Sequence, residues 1–171
     1  EAIRLFKMRG GNFTMPCKNI AAELVDKLSP AAEIIGACNT FVNDDGVITG
    51  HITDGIGFVN NLALNGFDVK GKKAVILGAG GAATAIQVQF ALDGAKEVHI
   101  FNIKDEFYAR AEGTKEKLAQ KCPDCLVTVD DLDDKEKLAE AVKDCDIVIN
   151  ATIMGMKPYD DVTLIDKSLF R

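Results

Sequence analysis

Histidine is scarce in this sequence, since only two of the 171 residues are histidines. His99 falls inside a predicted buried strand, where a polar tip usually serves only to make a hydrogen bond. His51 stands shortly before Asp54, and its position assigns it no role. Proton transfer, if the protein carries it out, therefore depends on other side chains.

Several other features are missing as well. The chain has 20 basic and 26 acidic residues, a net charge of −6 and no basic stripe, which argues against nucleic acid as a partner. No apolar run approaches the roughly 20 residues that span a bilayer, so no membrane partner is expected. The five cysteines cannot all be paired, and their scatter predicts a reducing, cytoplasmic location.

Two of the cysteines, Cys122 and Cys125, form a C-x-x-C pattern. Metal sites of this pattern usually need a second cysteine pair or nearby histidines, and the sequence supplies neither. We therefore expect a turn between a helix and a strand here, and no metal.

The first 65 residues mix short helices and strands. Apolar residues Ile20, Leu24 and Leu28 share one face of a predicted helix that ends before Pro30, and Gly46 marks a hairpin turn. The full prediction is a helix over 1–9, a strand over 12–15, a helix over 19–30, a hairpin over 38–50 and a helix over 53–66.

From residue 66 onward, apolar strands alternate with helices at short spacing. Strands are predicted over 72–80, 97–102, 125–129 and 146–152, with helices over 81–94, 105–121 and 134–145. Repeated β-α-β units of this kind imply a parallel sheet with right-handed crossovers. We predict an α/β fold, with a doubly wound parallel-sheet domain over 66–171 and a mixed α/β domain over 1–65.

The segment GAGGAA, residues 78–83, fits the pattern G-x-G-x-x-[G/A]. Gly78 allows a tight strand-to-helix turn, Gly80 lets the backbone approach a pyrophosphate, and the small Ala83 lets the helix pack closely. The neighbouring strands and helix supply the context that the motif needs. The pattern predicts a dinucleotide site at the start of the helix; a glycine-rich turn in a nucleotide-free domain is the alternative.

The end of the next strand, about 20 residues on, normally contacts the adenosine ribose. Here the segment is FNIKDE, in which Asn102 ends the strand and Asp105 is the nearest carboxylate for the ribose hydroxyls. No arginine is present to bind a 2′-phosphate with two hydrogen bonds, and Lys104 offers only a point charge. The segment therefore favours NAD over NADP.

Lys18 and Asp54 are the candidates for proton transfer. Pro16 restricts the backbone just before Lys18, and Gly55 and Gly57 let a ligand approach Asp54 closely. A lysine acts as a base when burial lowers its pKa from about 10.4, whereas a nearby carboxylate favours its charged form. The two groups could also share a proton as a coupled unit. From the residues alone, a solvated Lys18 and an N-capping Asp54 stay open as alternatives.

Four segments, in order along the chain, resemble those of the shikimate dehydrogenase family. GNFTMPCK resembles N-V-T-x-P-x-K, and IIGACNTFVNDDGVITGHITDGIGF resembles G-A-x-N-T…G-x-N-T-D-G-x-G. VILGAGGAATA is similar to the family's cofactor loop, and INATIMGM is similar to its N-A-T-x-x-G-M segment. The stretch FNIKDEFYARA most resembles the quinate/shikimate dehydrogenase branch, which accepts NAD or NADP.

The resemblance implies an incomplete substrate domain joined to a Rossmann domain across a cleft. The implied reaction is hydride transfer between NAD(P) and shikimate or quinate, with Lys18 and Asp54 as the catalytic pair. Asn12, Thr14 and Asn39, with that pair, would hold the hydroxyls of this polyol acid, and a homodimer is possible. Cofactor binding is assigned to Gly78, Ala79, Gly80, Gly81, Ala82, Asn102, Ile103, Lys104, Asp105, Thr152 and Met154.

The sequence departs from the family pattern at three isoleucines. Ile52 replaces the asparagine of N-T-D-G and removes a polar contact, Ile103 replaces a usual arginine, and Ile153 stands where the quinate-using branch can carry a lysine. The family's Ser-x-Ser segment would lie before Glu1, and the rest of the cofactor domain beyond Arg171. We therefore expect a piece of a longer protein that is weakly active or inactive alone.

Two other functions fit parts of the sequence. A methylenetetrahydrofolate dehydrogenase shares the two-domain Rossmann plan, but it gives no reason to combine Lys18, Asp54 and Asn39. A non-catalytic nucleotide-sensing module would need only the Rossmann half, and Ile52 leaves this alternative open.

Overall fold

A computed structural model describes residues 1–170, in which two four-stranded sheets are joined by helices. The helices are α1 (Ala2–Leu5), α2 (Lys18–Leu24), α3 (Pro30–Ile35), α4 (Asp54–Leu64), α5 (Gly81–Leu92), α6 (Glu106–Lys121) and α7 (Lys135–Asp144), with a 3-10 turn at Lys167–Leu169. The strands are β1 (Gly10–Asn12), β2 (Lys27–Leu28), β3 (Thr40–Asp44), β4 (Val47–His51), β5 (Lys73–Leu77), β6 (Glu97–Asn102), β7 (Leu126–Asp131) and β8 (Ile147–Asn150).

The second sheet is parallel throughout and has the order β7-β6-β5-β8. Its central strand β5 is apolar from Ala74 to Leu77 and fully buried there, as expected for a strand with helices on both faces. Leu77 pairs with Phe101 on one side and with Asn150 on the other, so three strands end at the same edge. The chain reverses its winding between β5 and β8, which is where ligands bind in such folds. The predicted α/β class with a parallel Rossmann-type sheet is confirmed.

The first sheet is mixed and has the order β1-β3-β4-β2. Strands β3 and β4 form the predicted hairpin, closed by Asp45 and Gly46 with φ angles of 52° and 94°. Positive φ at both turn positions matches the twist of the flanking strands. Strand β1 pairs antiparallel with β3, and the two-residue β2 pairs parallel with β4.

The helix and strand predictions before residue 36 are wrong in three places. The predicted helix over 1–9 is only the four-residue α1, and the predicted strand over 12–15 is β1, which ends at Asn12. The predicted helix over 19–30 is α2, β2 and the start of α3. Ser29 and Pro30 begin α3 rather than end α2, because Ser29 is the N-cap and proline is well placed at the first helical position.

The predicted apolar face of α2 is also wrong. Ile20 and Leu24 are 58% and 74% exposed, whereas Ala21 is buried against Ala32 and Cys38. Helix α2 therefore packs through the small Ala21, whereas the larger Ile20 and Leu24 are exposed.

Helices α3, α4 and α5 connect the two sheets through one apolar core. Ile34 and Val59, which precede the parallel sheet in sequence, pack in the same cluster as Val88 and Phe90 of α5. The division into domains at residue 66 stays a prediction, since the two sheets share this packing. Within residues 1–170, no helix is both long and apolar enough to cross a membrane.

Helices α4 and α5 pack closely at Gly55. A Cβ atom added there would lie 2.2 Å from the carbonyl oxygen of Ala85, which is backbone and cannot rotate away. Helix α4 begins with Asp54, and α5 begins at the glycine turn. This contact therefore sets the spacing between the predicted catalytic pair and the predicted dinucleotide site.

We expect Gly55→Ala to lower the free energy of unfolding by about 1–3 kcal/mol, because the methyl group forces the two helices apart. Gly57→Ala in the same helix is the matched control, because nothing lies within 4 Å of an added Cβ there. The control should raise stability by about 0.5–1 kcal/mol through helix propensity. Urea denaturation measures both, and equal effects of the two variants would contradict the close-contact argument.

Candidate active site

Lys18 and Asp54 meet directly although 36 positions separate them in the chain. Lys18 is the first residue of α2, Asp54 is the first residue of α4, and the ammonium Nζ lies 2.9 Å from Oδ2 of the carboxylate. The side chains are 28% and 41% exposed, which leaves the pair open to a ligand. Asp54 does not cap α4, because Thr53 holds the N-cap position. The alternatives of a solvated lysine and a capping aspartate are therefore not what the structure shows.

Asn39 holds the other oxygen of the same carboxylate. Its Nδ2 donates to Oδ1 of Asp54 at 3.1 Å, and its own Oδ1 accepts from the backbone N–H of Thr53 at 3.0 Å. Because a backbone N–H can only donate, the atom that faces it must be the amide oxygen. The amide nitrogen is thereby turned toward Asp54, and both carboxylate oxygens have a donor.

The polar cluster extends to the edge of the first sheet. Oδ1 of Asn39 also accepts from the hydroxyl of Thr40 at 3.0 Å, and that hydroxyl in turn accepts from Nδ2 of Asn12 at 3.1 Å. Thr14 is exposed in the loop that leads to Lys18. Of the predicted substrate residues, Asn12, Asn39 and the ion pair thus form one connected network.

Thr40 and Thr53 belong to this network but were not among the predicted site residues. Both are adjacent in sequence to a predicted one, Asn39 or Asp54, and only the folded structure brings their hydroxyls to Oδ1 of Asn39. Ile52 lies outside the network, since it is buried in the apolar cluster with Ala21 and Cys38. The isoleucine at this motif position therefore packs in the core rather than facing the ion pair.

The glycine turn joins β5 to α5 at the carboxyl edge of the parallel sheet. Gly78 has a φ of 103°, and a Cβ atom added there would lie within 3.2 Å of Thr152 and Ala151. Gly80 is the N-cap of α5 and no side chain caps this helix, so the first N–H groups of α5 are without a side-chain acceptor. Added Cβ atoms at Gly80 and Gly81 would meet no other atom within 4 Å. This open, uncapped helix start fits an anionic group such as a pyrophosphate.

The remaining predicted cofactor residues differ in exposure. Gly81 and Ala82 are exposed at the helix start, whereas Ala79 is buried behind them. Beyond β8, the Thr152 hydroxyl donates to Oδ1 of Asn150 at 2.7 Å and accepts from the N–H of Met154 at 3.1 Å. These contacts fix the turn after β8 next to Gly78.

The segment after β6 begins with a tightly bonded turn. Oδ1 of Asp105 accepts from Nδ2 of Asn102 at 2.8 Å and from the N–H of Phe107 at 2.9 Å, so Asp105 is the N-cap of α6. Lys104 lies 3.3 Å from Oδ2 of Asp131, while Ile103 is exposed. The backbone N–H of residue 133 and the Lys104 ammonium lower the pKa of Asp131 below its ordinary value.

The two histidine side chains make no hydrogen bond with the ion pair among the described residues. His99 is hydrogen-bonded within the parallel sheet, to Thr128 and Glu97, both at 3.0 Å. The backbone carbonyl of His51 accepts from the N–H of Asn39, which is a β-type contact. Neither side chain has a hydrogen bond to Lys18 or Asp54 among the described residues.

The C-x-x-C segment forms the predicted turn between α6 and β7. Burial raises the pKa of the Cys125 thiol to about 11 and also raises that of Cys122, so both favour the protonated thiol at neutral pH. Among residues 1–170, no group of three or more histidine, cysteine, aspartate or glutamate side chains is arranged to hold a metal ion.

The fold and the site together define a Rossmann-type α/β protein with a glycine turn before α5 and a Lys–Asp–Asn cluster at the start of α4, the helix that packs against α5. A family model of the shikimate dehydrogenase substrate binding domain matches residues 1–41, and one described as shikimate / quinate 5-dehydrogenase matches residues 61–157. The chain belongs to the shikimate dehydrogenase family.

Similar proteins cover nearly all of the chain. A shikimate dehydrogenase (NADP(+)) of Listeria monocytogenes serotype 4b is 52% identical over 165 residues, which are 96% of this chain and 56% of that protein. A quinate/shikimate dehydrogenase of Escherichia coli O139:H28 is 46% identical over 166 residues, 97% of this chain and 57% of that protein. The chain thus spans a little over half the length of these relatives.

A solved structure is also very similar. The crystal structure of shikimate 5-dehydrogenase from Listeria monocytogenes, in complex with shikimate and NAD, has a TM-score of 0.96 at 51% identity. The alignment covers 99% of this chain and 59% of that one.

We expect the cysteines to differ sharply in their reaction with iodoacetamide at pH 8. The exposed Cys17 should be alkylated first, whereas Cys125 should react far more slowly, because it is buried and its pKa is raised to about 11. Peptide mass spectrometry over a time course measures the order. Unfolding in guanidinium is the control and should make all five cysteines reactive; rapid native labelling of Cys125 would contradict the prediction.

Proposed function

We propose that the protein containing this chain transfers a hydride reversibly between a nicotinamide dinucleotide and shikimate or quinate, which gives the 3-dehydro product. The observation that carries the proposal is the contact of Lys18 with Asp54, held by Asn39, in a chain of the shikimate dehydrogenase family. The names of the relatives support the substrate class and a nicotinamide cofactor.

The ion pair supplies the proton chemistry. When an alcohol is oxidised, its hydroxyl proton must leave as the hydride is transferred, and the bound nicotinamide ring supplies the hydride acceptor. A hydroxyl placed between Nζ of Lys18 and Oδ2 of Asp54 has a donor and an acceptor within reach. The pair takes up the proton as one coupled unit, and Asn39 keeps Asp54 oriented while this happens.

The surrounding polar side chains suit a polyol. Asn12, Thr14 and Asn39 carry amide and hydroxyl groups that can donate and accept, so they can bind the hydroxyls of a carbocyclic acid. We propose that residues 1–65 form the substrate-binding domain and that residues 66–171 form the cofactor-binding domain. The separate family matches at residues 1–41 and 61–157 support this division. A homodimer and a cytoplasmic location stay predictions.

The carboxyl edge of the parallel sheet fits the cofactor. Gly80, Gly81 and Ala82 would hold the pyrophosphate through the N–H groups of the helix start, and Asn102 with residues 103–105 would hold the adenosine. Thr152 and Met154 would contact the nicotinamide side.

We also propose that NAD is preferred over NADP. The carboxylate of Asp105 lies three residues beyond the end of β6, at the N-cap of α6, where it would accept from ribose hydroxyls and repel a 2′-phosphate. Lys104, the nearest cation, is engaged with Asp131.

The full-length protein with Lys18→Met should lose turnover by about 100- to 10,000-fold, which is the usual contribution of an acid–base group. Its dissociation constant for NAD should stay unchanged, because the Lys18 ammonium bonds to Asp54 and has no hydrogen bond to the glycine turn among the described residues. Turnover is measured by following NAD reduction with shikimate or quinate spectrophotometrically. Lys27→Met, an exposed lysine on β2, is the control and should retain activity. NAD binding by the wild type without any turnover would instead support the nucleotide-sensing module.

Asp105→Ser should lower the ratio of kcat/KM for NAD to that for NADP by about tenfold, the value of one charge-assisted hydrogen bond. Serine retains the helix-capping ability, so the effect should not come from unfolding. Steady-state kinetics with both cofactors measure the ratio. Asp134→Ser, at the N-cap of α7, is the matched control and should leave the ratio unchanged. An unchanged ratio for Asp105→Ser would contradict the assignment.

A further inference from the structure

Helix α5 carries two buried polar side chains close to the glycine turn that it follows. Thr84 and Gln87 are three positions apart, so they lie on the same side of the helix, and they are 4% and 0% exposed. Their neighbours Ile86 and Val88 are apolar, as expected for a helix packed against a sheet. Polar side chains buried at these positions are therefore expected to have specific hydrogen-bond partners.

The two side chains bind three consecutive carbonyl groups of the turn. Nε2 of Gln87 donates to the carbonyl oxygen of Gly78 at 2.9 Å. The Thr84 hydroxyl lies 3.0 Å from the carbonyl oxygen of Gly80 and 3.3 Å from that of Ala79. All three carbonyl oxygens thus face side chains of α5.

This arrangement decides where the amide groups of the turn point. In a trans peptide, the N–H of one residue points opposite to the C=O of the residue before it. With the carbonyls of Gly78, Ala79 and Gly80 held toward α5, the N–H groups of residues 79–81 are directed away from those side chains. Donors turned outward in this way are what a phosphate-binding turn requires.

Among the described residues, Gln87 is the one donor to the Gly78 carbonyl. The N–H of Gly78 is already bonded to the carbonyl of Phe101 in β6, and its Cα lies against Thr152. The Gly78 carbonyl oxygen, by contrast, lies beyond the end of β5 and accepts no hydrogen bond from the described residues of the sheet. It would be buried without a donor if Gln87 were apolar. Gln87 completes the anchoring of this residue on a third side.

Only one of the two polar atoms of the Gln87 carboxamide is hydrogen-bonded among the described residues. Oε1 of Gln87 is buried and has no hydrogen-bond partner among the described residues. An unpaired buried acceptor is unfavourable, and an apolar side chain would avoid it. Buried polar atoms are normally hydrogen-bonded, and exceptions are expected mainly at functional sites.

We propose that Gln87 is a positioning residue for the dinucleotide, acting through the Gly78 carbonyl to aim the amide donors of the turn at the pyrophosphate. This inference rests on the proposed function of the turn as the NAD(P) site. It adds a residue outside the glycine motif, which does not touch the cofactor itself.

The test uses the full-length protein with Gln87→Met, which keeps the length of the side chain and removes the donor. The dissociation constant and the KM for NAD should rise by about tenfold, the effect of one lost hydrogen bond. The KM for shikimate should be unchanged, and kcat at saturating NAD should stay within about twofold. The matched control is Gln89→Met on the same helix, whose Nε2 bonds to Asp93 alone among the described residues, and NAD binding should be unaffected.

A measurement on the wild type covers the case in which Gln87→Met does not fold. The side-chain NH₂ resonance of Gln87 and the backbone amide of Ala79 should shift together when NAD is titrated into ¹⁵N-labelled protein. They should not shift with shikimate alone.

These experiments distinguish failure of the proposed role of Gln87 from failure of the proposed dehydrogenase function. Wild-type affinity for NAD in a folded Gln87→Met variant, an equal loss in Gln89→Met, or no NAD-dependent shift of the Gln87 resonance would each overturn the inference alone. A wild-type protein that binds neither NAD nor NADP would overturn the proposed function, and the inference with it.

Discussion

The candidate site depends on how one carboxylate is held. Each oxygen of Asp54 receives a donor, from Nζ of Lys18 at 2.9 Å and from Nδ2 of Asn39 at 3.1 Å. A carboxylate with two fixed donors cannot rotate, so the lysine stays in place without being deeply buried. Substrate hydroxyls would then meet an ion pair that is already arranged. Asn39 is in turn fixed by the N–H of Thr53, which makes the hairpin β3–β4 and the start of α4 part of the same arrangement.

Helix α5 connects this ion pair to the proposed cofactor site. On one side, it approaches α4 so closely at Gly55 that no side chain fits between them, and Asp54 is the preceding residue. On another side, Thr84 and Gln87 hold the backbone of the glycine turn. The proposed hydride transfer would need the alcohol carbon and the nicotinamide ring in contact, so the relative position of the two sites would have to be closely fixed. One helix that contacts both sites provides this constraint.

The parallel sheet was predictable from the sequence, whereas the region around α2 and α3 was not. The run 74–77 is wholly apolar and buried, and in β6 Val98, Ile100 and Phe101 are fully buried, so apolar residues predict both strands. Before residue 36 the elements are two to seven residues long, and tertiary contacts decide their limits. Ser29 and Pro30 fit the end of one helix as well as the start of the next, and only the pairing of β2 with β4 resolves this.

The candidate site, too, was only partly predictable from the sequence. Spacing and family resemblance pointed to Lys18, Asp54 and Asn39 and to the pairing of the first two, but not to the contacts of Asn39 with Asp54 and Thr53. Which oxygen each donor holds, and the part played by Thr40, follow from strand pairing that brings residues 12, 40 and 51 side by side. Gln87 was also beyond prediction, because a single polar residue within an apolar helix does not indicate which carbonyl it binds.

A double-mutant cycle for turnover tests most directly whether Lys18 and Asp54 act as one unit. It compares Lys18→Met, Asp54→Asn and the double variant in the full-length protein, with kcat/KM for shikimate or quinate as the measured quantity. If the pair acts together, the double variant should lose about as much activity as the worse single variant. If the two losses instead multiply, the residues act independently, and the account of a shared ion pair is contradicted.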